Sequence, residues 1–170
     1  MSMFGAEEII QKLQLKPLPH EGGYYRETYR SGFNIPTGAL PSNYDKDRHA
    51  STAIYYLLTP DTFSALHLLP ADELFHFYCG DPVEMLQLHA DGAGELIKIG
   101  NDLKQDHRPQ ILTPAGSWQG SRLVSGGKYA LMGTTMVPGF EFTDYKAAVR
   151  TELISKYPEF EELIKELTLD

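Results

Sequence analysis

Between residues 52 and 137 the chain keeps returning to short runs of β-branched and aromatic residues, each closed by a compact turn cluster. The runs occupy residues 52–58, 63–69, 74–79, 83–89, 95–99, 110–113, 118–124 and 129–137. Between them stand Thr59-Pro60-Asp61, Pro70-Ala71-Asp72, Gly80-Asp81-Pro82, Asp91-Gly92-Ala93-Gly94, Pro114-Ala115-Gly116 and Ser125-Gly126-Gly127. Such clusters reverse the chain, and runs of this length with this chemistry form strands. Short strands in series bury their apolar faces only by packing sheet on sheet, so the spacing predicts a mainly β sandwich or barrel. Asp91-Gly92 marks a hairpin, although four residues separate its strands and exclude a simple two-residue turn.

The flanks read differently. Residues 6–15 carry Ile9, Ile10, Leu13 and Leu15 at helical spacing and end at Lys16-Pro17-Leu18-Pro19, which predicts a short N-terminal helix. A strand over 24–29 leads into a loop over 31–47 that is long enough to close over a site as a lid. Beyond the last strand, Thr143 or Asp144 can cap a helix running to Lys156, and Tyr157-Pro158 restarts a second one with Phe160, Leu163 and Ile164. The expected organisation is a single domain over 1–170, with a β core at about 20–142 and a helical tail at about 143–168. With 170 residues, 42% of them apolar, the chain can build one substantial core.

Charge and cysteine content narrow the function classes. Fifteen Lys and Arg against 23 Asp and Glu give a net charge of −8, and no basic run offsets it, so neither nucleic acid nor an anionic membrane is an expected partner. The lone Cys79 excludes an internal disulfide and agrees with a reducing compartment. The chain contains no long unbroken apolar run, and the expectation is a soluble, cytoplasmic protein.

Three polar residues interrupt otherwise apolar strands. Strand alternation places Ala65, His67 and Leu69 on one face and Ser64, Leu66 and Leu68 on the other. An imidazole inside a barrel needs a hydrogen-bond partner or a ligand, and His67 can serve as a base, a metal ligand or a satisfied core residue. Glu73 begins the next strand, and antiparallel pairing can return it beside His67. A buried carboxylate must be paired, metal-bound or partly wet. His76 has the opposite parity to Glu73, so a regular strand turns it away from the same cavity unless a bulge intervenes. Gln119 can orient a ligand through its amide but is a poor ligand for zinc or iron, while Trp118 can wall a pocket or fill a barrel end. As metal ligands, His67, Glu73 and His76 are weak candidates that make an incomplete set. A second concentration runs from Glu21 to Arg30, with Tyr25, Arg26 and Glu27 as candidate ligand-binding residues behind the paired Gly22 and Gly23. Alternation there puts Tyr25, Glu27 and Tyr29 on one side and Tyr24, Arg26, Thr28 and Arg30 on the other.

Taken together, GGYYRETYRS, STAIYYLL, ADELFHFYCG, PAGSWQG and PGFEF resemble a small, largely uncharacterised cupin subfamily, over about residues 20–142. His67, Glu73 and Gly80 match the first cupin motif, and Pro114 and Gly116 match the second. Leu69 and Gln119 stand where two of the four usual metal ligands would be, so a resident metal is not expected. The resemblance implies a double-stranded β-helix, or jelly-roll, barrel and a homodimer. It extends to seed-storage-type cupins and to deoxysugar 3,5-epimerases, in which a histidine at the position of His67 removes a proton and a tyrosine acts as acid. Tyr129 and Tyr55 are the candidates for that acid, and Gly23, Tyr24 or Tyr25, and Glu27 could imitate the epimerases' N-terminal strand. The leading expectation is a cupin that binds a small polar, sugar-derived molecule through His67, Glu73 and Gln119, with Tyr25, Arg26, Glu27, Trp118 and Tyr129 as further ligand contacts. The competing expectations are an epimerase or isomerase with His67 as base and Glu73 as a second catalytic residue, a metal-dependent enzyme, and a non-catalytic structural protein.

Overall fold

The computed structural model describes residues 4–169. In chain order these form α1 (Ala6–Leu13), β1 (Lys16–Pro17), β2 (Tyr24–Arg30), β3 (Asn34–Ile35), β4 (Arg48–His49), β5 (Thr52–Leu58), β6 (Phe63–Leu68), β7 (Asp72–Gly80), β8 (Val83–Leu88), β9 (Gly94–Ile99), β10 (Gln110–Thr113), β11 (Trp118–Leu123), β12 (Ala130–Val137), β13 (Lys146–Ala147), α2 (Arg150–Lys156) and α3 (Glu161–Glu166). One sheet has the order β1-β2-β5-β12-β7-β10 and the other β13-β6-β11-β8-β9, with β3 and β4 paired separately. From β5 to β12 the chain passes back and forth between the two main sheets, which makes a jelly-roll barrel. Among the described residues no helix is long and apolar enough to cross a membrane.

The inner faces of both sheets meet in an apolar core built from Tyr56, Leu58, Phe75, Met85, Ile99 and Met132 among others. α2 and α3 cover the outside of the second sheet, seating Leu153, Tyr157, Ile164 and Leu167 on Leu66, Leu86 and Leu88. At one end of the first sheet, Ile9 of α1 and Leu15 pack on Leu57 and Tyr129.

The tail departs from expectation. No helix starts at Thr143 or Asp144: Phe142–Asp144 is a single 3-10 turn, and Lys146 and Ala147 pair with Leu68 and His67 to add a strand beside β6. Asp144 is not free to cap a helix. Its carboxylate accepts two hydrogen bonds from Arg48, at 2.7 and 2.9 Å, and one from the Glu141 amide, while the amide of Ala148 donates to the carbonyl of Leu66. The 31–47 loop does not cover the main cavity. Thr37 is tied to Asp47, Arg48 lies over the ring of buried Tyr44, and none of these loop residues lines the main cavity.

Three strands carry an extra residue: on β7, Cys79 faces Leu131 while Phe77 faces Met132, beyond His76. On β6, His67 faces Gln119 while Ser64 faces Ser121, so one irregular step turns Ser64 to the same side as His67. On β2, Glu27 faces Ile54 while Tyr29 faces Ala53, which brings Arg30 round to the side of Tyr25 and Glu27. Simple alternation assigned Ser64 and Arg30 to the opposite faces.

Candidate functional site

One end of the barrel interior is hollow, with a cavity of about 350 Å³. Its depth is polar: Glu21, Glu73, Thr134 and Tyr56 line it. Its mouth is aromatic and charged, with Tyr25, Phe140 and Phe142 beside Lys16, Glu27 and Arg30. Phe142 stands edge-on to Tyr25 and to Phe140, with ring centres 6.4 and 5.2 Å apart.

Glu21 enters the barrel because two glycines precede β2. Gly22 and Gly23 have φ of 99° and 71°, and a side chain on Gly22 would collide with the carbonyl of Phe63. The chain thus lies close against β6, where the amide of Ala65 donates to the carbonyl of Glu21. The Glu21 carboxylate accepts from Ser64 Oγ at 2.9 Å and lies 3.9 Å from His67 Nε2.

Glu73, on β7, is 7% exposed. Burial pushes its carboxyl above the ordinary range, and the nearby Glu21 charge adds to the effect; His67, Thr134 and Gln119 offset part of it. Gln119, on β11, donates its amide Nε2 to Glu73 at 2.6 Å, and the same nitrogen lies 3.3 Å from His67 Nε2. His67 Nδ1 lies 2.8 Å from the carbonyl of Ala65, so Nδ1 carries the proton and Nε2 accepts from Gln119. Reversing the amide would set two oxygens against each other at the Glu73 contact. The ring of Tyr145 stacks over His67 with centres 5.1 Å apart, and its hydroxyl donates to the carbonyl of His20. Burial followed by the charge of Glu21 pushes the Tyr145 phenol up to about 12.

His67, Glu73 and Gln119 therefore meet in one hydrogen-bonded cluster, but they do not all face the cavity. Glu73 lines it; His67 and Gln119, each 1% exposed, lie behind. Tyr25 and Glu27 reach the cavity wall; Arg26 borders it, but its guanidinium lies on the other face of β2 over Tyr55, 5.5 Å from the ring centre. The other sequence candidates lie elsewhere. Trp118 packs among the residues under α2 and α3, on the opposite face of β11 from Gln119, with Lys146 over its ring. Tyr129 packs with Ile9, Leu15 and Leu57, and Tyr55 belongs to the same outer cluster. His76 is bonded to Thr135 and Gln110 on the outer side of its sheet, at 3.2 and 3.1 Å, and no bulge carries it inward. Sequence reading did not single out Glu21, Ser64, Thr134 or Tyr145 as site residues, although Glu21 opens the segment it marked. Of these, Glu21 alone left a local signal, the two glycines that follow it.

These donors do not suit a metal. Leu69, at the second histidine position of the first motif, is apolar and lines the cavity, and an amide N–H of Gln119 occupies the lone pair of His67 Nε2. Among the described residues no three His, Cys, Asp or Glu side chains are grouped to hold an ion.

Known proteins agree with this fold. A hypothetical protein from Leishmania major superposes with a TM-score of 0.87 at 30% identity, covering 98% of this chain and all of that one. An X-ray crystal structure of a protein from Shewanella oneidensis gives 0.84 at 31% identity, covering 98% of this chain and 99% of that one. An uncharacterized protein of Saccharomyces cerevisiae is 30% identical over 148 residues, 82% of this chain and 73% of the yeast protein. Oxalate decarboxylase from Bacillus subtilis shares the fold alone, with a TM-score of 0.53 at 13% identity over 96% of this chain and 38% of that one. The family model described as Cupin superfamily (DUF985) matches residues 7–148, and the chain belongs to that family.

Proposed function

We propose that this cupin binds a small polar molecule, of the size and hydroxyl content of a sugar derivative, inside the open end of its barrel. The observation that carries the reading is the pair of carboxylates, Glu21 and Glu73, facing a cavity of about 350 Å³ inside the barrel. Cavities of this size hold small organic ligands, and buried acceptors retained in an apolar wall orient the donors of a guest. Tyr25 and Phe142 at the mouth supply flat surface for a ring.

Ligand-observed NMR with a panel of small sugars and sugar derivatives, repeated on Glu73→Gln, tests this. Saturation transfer to at least one compound, weakened several-fold in the variant, is the expected result. No transfer from any compound, or transfer indifferent to Glu73, would remove the reading.

An isomerase reading also has an observation in its favour, because Glu73, Gln119 and His67 are hydrogen-bonded in series. In this geometry Glu73, not His67, is the group that meets a substrate proton, and His67 stands behind it, reached through Gln119. Exchange of substrate hydrogen for solvent deuterium, lost in Glu73→Gln, is the signature expected of that chemistry.

A further inference from the structure

We infer that the ligand of this cavity carries a positively charged nitrogen, of the aliphatic ammonium class, seated between Glu21 and Glu73. The inference rests on the cavity-binding reading and specifies its ligand.

Among the described residues, neither carboxylate accepts a hydrogen bond from a cationic side chain. Glu21 is held by the neutral hydroxyl of Ser64, and Glu73 by the neutral amide of Gln119. The basic side chain nearest Glu21 is His67, whose Nε2 lies 3.9 Å away, beyond hydrogen-bond distance, and faces Gln119, so a single imidazole stands against two carboxylates. The cations at the mouth are engaged elsewhere. Arg30 donates to both oxygens of Glu27, at 3.0 and 2.8 Å, and to Glu141 at 2.9 Å. Lys16 lies over the ring of Tyr25, with Nζ 5.4 Å from its centre.

A separate observation points the same way. The charge of Glu21 pushes the Glu73 carboxyl up, so the two carboxylates that line the cavity stand close enough to repel each other. Two carboxylates that share one chamber with no cation hydrogen-bonded to either are costly. A guest with N–H donors and positive charge relieves both carboxylates. An anion placed between Glu21 and Glu73 would meet like charge, so a phosphate or carboxylate group cannot occupy the depth of the cavity. The aromatic rings of Tyr25 and Phe142 add surface whose faces attract cations.

The test uses two probes that differ only in the group concerned: glucamine (1-amino-1-deoxysorbitol) and sorbitol, titrated into the full chain at about pH 7 and followed by NMR shifts at Thr134 and Met136. Glucamine is expected to bind at least about tenfold more tightly. In Glu21→Gln and Glu73→Gln that preference should fall several-fold. Sorbitol binding as tightly as glucamine would overturn the ammonium assignment and leave the cavity reading standing. If neither probe moves those resonances at millimolar concentration, both are overturned. The comparison on the unaltered chain decides the question even if a variant does not fold.

Discussion

The two ends of the barrel interior are built from the same strands and are opposite in character. β7 contributes Phe75 to the closed end and Glu73 to the open one; β11 contributes Leu123 and then Gln119; β12 contributes Met132 and then Thr134. At the closed end, Val83, Met85, Ile97, Ile99 and Ile111 fill the interior. At the open end a buried polar layer of Ser64, His67, Glu73, Gln87, Thr113, Gln119, Ser121 and Thr134 takes their place. Part of this layer joins the sheets, since Gln87 Nε2 donates to Thr113 Oγ1 at 2.8 Å and to the carbonyl of Leu112 at 3.1 Å. One end thus supplies stability through close packing, while the other holds polar groups whose net contribution to stability is small or negative.

If that division holds, the largest loss comes from the closed end. Phe75→Ala should cost about 3–5 kcal/mol in urea unfolding, because it empties a packed core; a loss below about 1 kcal/mol would contradict the division. Gln119→Leu should cost about 2 kcal/mol although leucine is the more apolar residue, since it leaves Glu73 and His67 without their shared donor. A neutral or stabilising result would mean that the amide contributes nothing to either group.

Glu73→Gln should change stability in the other direction, raising it by about 1 kcal/mol at neutral pH. The sign follows from linkage: with its carboxyl pushed up by burial, the folded state binds a proton more tightly than the unfolded chain. That contribution is present in full below the unfolded pKa and is lost as pH rises through the folded one. The advantage of the variant should accordingly shrink on acidification, and a gain independent of pH would refute the assigned cause. The smallest effect belongs to Tyr145→Phe, which loses one hydroxyl bond to the His20 carbonyl near solvent while the ring still stacks on His67. Less than about 1 kcal/mol is expected in thermal unfolding, and a larger loss would place Tyr145 within the buried layer.

The strands were legible because each is bounded by turn chemistry that acts locally. β5 and β10 fall on the residues expected, the other expected strands shift by a residue or two, and the two-residue strands β1, β3, β4 and β13 were not expected. The facing of side chains was legible wherever alternation runs unbroken, as with His67 and Gln119 inward and His76 outward. Alternation also separates Trp118 from Gln119, its immediate neighbour, so one strand could not offer both to the cavity. What stayed hidden depends on contacts distant in sequence. The extra residues in β6 and β2 turn Ser64 and Arg30 inward, and no turn residue marks either step. Tyr145 reaches His67 because the segment after Phe142 adds to β6, an arrangement that amphipathic spacing reads as a helix.

That added strand has a practical consequence. Residues 146 and 147 are the described neighbours of β6 on the side away from β11. A chain ended after Phe142 would keep GGYYRETYRS, STAIYYLL, ADELFHFYCG, PAGSWQG and PGFEF, yet would expose a row of unsatisfied backbone donors and acceptors along β6. It would also uncover Leu66, Leu86 and Leu88, which α2 and α3 now seal. Such an open sheet margin pairs readily with another chain, so the shortened protein should self-associate and precipitate rather than behave as a minimal barrel.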